Sequence, residues 1–154
     1  MADMKTGRRR SREFALQGLY QRQLSGNAPA AIHAQLAEAG GFALADRSYF
    51  EMLWSGVTSD YDALIARFAP WLDRTAAALS PVERAILVIG AWELAHQPEI
   101  PYRVVINEAV ELAKSYGGTD GHKFVNGVLD KLAADVRGDE IRALAAERSS
   151  RATP

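Results

Sequence analysis

The chain has 154 residues, 48% of them apolar and 24% charged, with a formal net charge of −1. That composition describes one globular domain with a substantial core and excludes a disordered chain. Its longest run of apolar residues and glycine, residues 85–92, is far short of the roughly 20 residues that cross a bilayer, and a chain without cysteine has no disulfide framework, thiolate nucleophile or zinc–thiolate site.

The near-neutral total conceals a basic end. Residues 1–13 hold five basic and two acidic side chains, a net of +3, which leaves 13 basic against 17 acidic, or −4, in the remainder. No apolar segment follows these cations, so a secretory signal is not expected and a cytoplasmic location is. The stretch GRRRSREFALQGLYQRQLSG, residues 7–26, reads as a helix, because Ala15, Leu16, Leu19 and Tyr20 share one face and a Ser-Gly-Asn stop follows. Its first turns would carry Arg8, Arg9, Arg10 and Arg12, although a helix N-terminus disfavours a cation by roughly 0.3–1 kcal/mol.

Further along, Asn27 as N-cap, Pro29 in the first turn and Gly40-Gly41 as the stop bracket a short helix. Asp46 caps the next, whose stripe of Phe50, Leu53, Val57, Tyr61, Leu64, Ile65 and Phe68 predicts the longest helix of the chain, ending before Pro70. Residues 71–79 have helix formers but little periodicity. Ser80, Pro81 and Glu83 form a capping box for a segment that is apolar nearly all round, which places it at the centre of a bundle. Residues 101–116 give a helix with Val105, Ala109, Leu112, Ala113 and Tyr116 on one face, stopped by Gly117-Gly118. Thr119 or Asp120 then caps a helix with a stripe at Val125, Val128, Leu129, Leu132 and Val136. After Gly138 a loosely attached helix fraying into a polar tail is expected. No segment alternates like a strand, so the fold class is all-α.

Catalytic patterns are absent from this reading. His33, His96 and His122 fall in different segments without metal-ligand spacing, and the glycine-rich residues 117–127 have neither dinucleotide-binding nor P-loop order. The arginine cluster has two explanations: a disordered basic tail that aids solubility, or cations presented beside free helix N–H groups as a seat for phosphate. Phe124 also has two. It lies about 100° from the Val125 stripe at helical spacing, beside Lys123, where it either packs against a neighbouring helix or offers a platform on which an unstacked base is held.

RRRSREFALQGLYQRQLS near the start and IPYRVVINEAVELAKSYGGTDGHKFVNGVLDKL later resemble the NusB family in order and spacing, from about Arg8 to Val136. The resemblance implies about seven helices in two packed subdomains, arranged as a flexible segment 1–7, a helical RNA-binding domain 8–137 and a polar tail 138–154. It implies a transcription antitermination factor, not an enzyme and without cofactor or metal, that binds the single-stranded boxA element of nascent ribosomal RNA together with NusE, a small-subunit ribosomal protein, within an RNA polymerase complex. Carried over by motif, RNA contacts fall on Arg8, Arg9, Arg10, Gln17, Tyr20, Asp120, Lys123 and Phe124, and Glu83 faces NusE. Homodimer formation by the free protein stays open. Two positions depart from the family pattern: Gly18 stands where alanine is more usual, and Trp92 where tyrosine is common. A helical regulator of duplex DNA and a pure protein adaptor are the competing readings.

Overall fold

The computed structural model describes residues 4–152 and contains eight α-helices among them. These are α1 (Met4–Ser25), α2 (Pro29–Ala37), α3 (Arg47–Ser59), α4 (Tyr61–Phe68), α5 (Pro81–His96), α6 (Tyr102–Tyr116), α7 (Gly121–Val136) and α8 (Gly138–Ala152), with short 3₁₀ turns after α2 and between α4 and α5. Helix α5 sits at the centre, as its all-round apolar pattern requires. Ten consecutive residues from Ala85 to Leu94 are buried, and α1, α3, α4, α6 and α7 all pack against this helix. No described helix is long and apolar enough to cross a membrane.

Several starts and stops fall where local chemistry puts them. Asp46 accepts a hydrogen bond from the Tyr49 N–H at 3.1 Å, and the Ser80 hydroxyl accepts from the Glu83 N–H at 3.1 Å. Others differ from the sequence reading. Ala28, not Asn27, is the N-cap of α2, because Pro29 with its fixed φ takes the first helical position. The expected long helix is two, broken at Asp60 between α3 and α4, so the 22-residue α1 is the longest. The stripe still runs through both, with Phe50, Leu53, Val57, Leu64 and Phe68 buried.

Helix α1 also starts earlier than expected. Residues 1–3 of the segment expected to be flexible lie outside the described residues, whereas residues 4–7 form the first turn of α1. Gly7 is no boundary: its carbonyl accepts from the Asp46 N–H at 3.0 Å and from the Ser11 hydroxyl at 3.0 Å, tying α1 to the start of α3. The N–H groups of Arg8, Arg9 and Arg10 therefore lie inside the helical ladder and are not available to a phosphate.

Both departures from the family pattern have a packing cause. A Cβ on Gly18 would stand 2.5 Å from the Trp54 ring, and one on Gly56 would overlap the Trp92 indole. Each tryptophan fills the space that a missing side chain on the facing helix leaves open.

At the C-terminal end the segment after Gly138 is helical, and its first turn is anchored. Arg137 is buried and donates to the carbonyls of Glu93, Leu94, Gln97 and Ile100, closing the end of α5, and to Glu140 at 2.7 Å. Glu140 in turn accepts the Tyr102 N–H at 2.8 Å and caps α6. From Arg142 onward the described side chains are exposed.

Candidate nucleic-acid interface

The four arginines in the N-terminal half of α1 have four different environments, because successive helical residues point about 100° apart. Arg12 faces inward and is 4% exposed. It donates to the Glu93 carboxylate at 2.8, 3.0 and 3.1 Å and lies 3.8 Å from Glu108. Burial works against its charge, but these carboxylates outweigh that and hold the guanidinium above its ordinary pKa. The Tyr49 hydroxyl also donates to Glu93, and burial followed by that carboxylate raises the phenol. Arg12 is thus a core residue, and the cluster of four read from the sequence is three at the surface.

Arg9 grips Glu108 through two hydrogen bonds of 3.0 and 3.1 Å, which raise its pKa, while its side chain remains 45% exposed. Arg8 lies 4.5 Å over the Tyr49 ring and 3.9 Å from Asp46. Arg10 forms no hydrogen bond or ion pair among the described residues; it lines a shallow depression with Gln17, Tyr116 and the Gly40-Gly41 turn.

One helical face of α1 continues from Arg10 through Glu13 and Gln17 to Tyr20. Tyr116, expected on the buried face of α6, is 43% exposed instead, because α6 runs past the core in its last turn. Its hydroxyl donates to Glu13 at 2.5 Å, and that bond pushes its pKa up to about 12. Tyr116 and Tyr20 border an open groove with Leu16, Gln17, Gln21 and Val82. The sequence hinted at none of this for Tyr116, whose spacing from Leu112 marks it as core.

Val82 belongs to the first turn of α5 and carries the surface onward. The next residue, Glu83, has its carboxylate so close to Gly121 that a Cβ there would stand 2.6 Å from it. Glu83 therefore lies between the two groups of expected RNA residues rather than on a separate face. Beyond it, Asp120 and Lys123 form an exposed ion pair at 3.6 Å. Phe124 is partly buried against the core edge, and the Arg74 guanidinium covers its ring 5.2 Å from the centroid. Arg74 is also bonded to Asp73, which lowers the Asp73 pKa and raises that of Arg74.

What the fold and this surface define is an all-helical protein presenting cations and open aromatic rings along one continuous face. A sequence model of the NusB family matches residues 9–134. The chain belongs to the NusB family. It is 56% identical over 142 residues to the transcription antitermination protein NusB of Ralstonia nicotianae, covering 92% of each chain. With the protein of that name from Paraburkholderia phytofirmans it shares 58% identity over 140 residues, covering 91% of this chain and 97% of the relative. Among solved structures, NusB of T. maritima superposes with a TM-score of 0.75 at 28% identity, covering 86% of this chain and 92% of that one. A complex of the antitermination factors NusB and NusE with double-stranded RNA contains a chain that superposes with a TM-score of 0.71 at 26% identity, covering 81% and 94%.

Proposed function

We infer that the chain is an RNA-binding transcription antitermination factor that takes the boxA element of nascent ribosomal RNA together with NusE. The observation that carries this reading is the run of one face from Arg10 past the Tyr20–Tyr116 groove to Glu83 against Gly121, at the start of the helix that carries Phe124. Arg8, Arg9 and Arg10 supply phosphate contacts, which give affinity without reading sequence. Tyr20 and Phe124 hold unpaired bases, each stacked base contributing about 1–3 kcal/mol, while Gln17, Asp120 and Lys123 offer polar groups to base edges and backbone. Glu83, midway along, meets NusE where RNA and protein partner adjoin. The chain acts by binding rather than catalysis, in the cytoplasm where transcripts emerge.

The duplex-DNA reading loses support from α1 itself. A recognition helix must project into a major groove, whereas α1 packs against α2, α3 and α5 and turns Arg12 inward. A competition experiment tests the assignment: boxA RNA is expected to displace a labelled boxA probe, with and without NusE, where scrambled RNA and duplex DNA at equal salt do not. Equal competition by duplex DNA refutes it.

A further inference from the structure

Resting on the proposed stacking role of Phe124, we propose that Arg74 is a further RNA-contacting residue: its guanidinium leaves the Phe124 ring when a base arrives and takes the adjoining phosphate. Asp73 competes for it in the free protein.

Three observations meet here. First, the ring is covered. At 5.2 Å from the centroid the guanidinium leaves no room for a base, since two stacked gaps of ~3.5–4 Å each need about 7–8 Å. A base therefore reaches that face of Phe124 only if Arg74 moves outward by about 2 Å or swings aside.

Second, Arg74 can move. It lies on the irregular segment between two 3₁₀ turns, its side chain is about half exposed, and its hydrogen bonds go to its sequence neighbour Asp73, which is 71% exposed. An exposed pair of this kind holds its partners weakly.

Third, the fork is already shaped for an anion. Nε and Nη2 reach the two carboxylate oxygens of Asp73 at 2.8 and 3.4 Å, the geometry in which a guanidinium grips two phosphate oxygens. Replacing Asp73 by a phosphate keeps the fork satisfied and keeps Arg74 beside the ring.

The test measures binding of boxA single-stranded RNA to the full chain in the presence of NusE, over a series of salt concentrations. Arg74→Ala is expected to weaken binding about tenfold, as for a lost charge-assisted hydrogen bond, and to reduce the slope of log K against log salt by about 0.7. Arg74→Lys, with charge but no fork, is expected to restore the slope and only part of the affinity. Asp73→Asn is expected to tighten binding about two- to fivefold by freeing the cation. Equal melting temperatures confirm that the variants are folded. Unchanged affinity and slope in Arg74→Ala, tighter binding by it, or weaker binding by Asp73→Asn overturns the proposal. Phe124→Leu separates the two claims. If it binds normally the stacking role falls, whereas its loss of binding beside an unaffected Arg74→Ala removes Arg74 alone.

Discussion

Replacing Arg12 with alanine tests whether this arginine belongs to the core or to the RNA surface. The substitution removes contacts of 2.8, 3.0 and 3.1 Å to Glu93. Glu108 keeps Arg9, but Glu93, 1% exposed, is left with the Tyr49 hydroxyl. Breaking one side of a buried ion pair costs about 3–5 kcal/mol. A loss of that size is a fall in Tm of roughly 6–20 °C for a domain of this size. Urea unfolding of both chains at pH 7 measures it, and a deficit under about 1 kcal/mol refutes the assignment.

Arg10→Ala should behave in the opposite way: unchanged urea midpoint, and a salt dependence of RNA binding shallower by about 0.7, measured by titration at several salt concentrations. Gly56→Ala forces a Cβ into the Trp92 indole and is expected to destabilise the fold by about 1–3 kcal/mol, read from chemical denaturation. Truncation after Gly138 removes Glu140, the cap of α6 and partner of Arg137, and should cost about 0.5–2 kcal/mol, whereas truncation after Arg142 should leave Tm unchanged within error. Phe124→Tyr should keep RNA affinity while Phe124→Leu loses about 1–3 kcal/mol of it with a near-parental Tm; normal RNA binding by Phe124→Leu would make Phe124 a packing residue.

Much of the helical frame was written locally. Asp46 and Ser80 cap α3 and α5 because a side-chain oxygen and an N–H three residues on meet through backbone geometry alone. The stripes of α3, α4 and α7 mark their buried faces because a helix repeats every 3.6 residues wherever it is placed. The same locality explains the errors. The polar run Thr58-Ser59-Asp60 marks the break between α3 and α4, but the apolar stripe continuing on both sides of it outweighed that signal, and Pro29 overrode the better capping side chain of Asn27. Around the candidate site, the exposed positions of Gln17 and Lys123 follow from the stripes of their own helices.

What sequence could not assign is what depends on residues far apart in the chain. Arg9, Arg10 and Arg12 are alike in type and share one helix, and only the carboxylates opposite them distinguish their roles. Glu93, 81 positions from Arg12, makes that arginine part of the core, and Glu108, 99 positions from Arg9, restrains a surface cation. Arg10 meets no such group among the described residues. Tyr116 is spaced like a core residue but lies in a helical turn that outruns the core, and Arg74 lies over Phe124 from a segment without periodicity. By itself the sequence determined the all-helical frame, most of its caps and its buried faces, because those follow from interactions within a few residues. The tertiary structure alone decided which cations and rings remain open at the surface, because exposure and ion pairing depend on what the rest of the fold brings opposite each side chain.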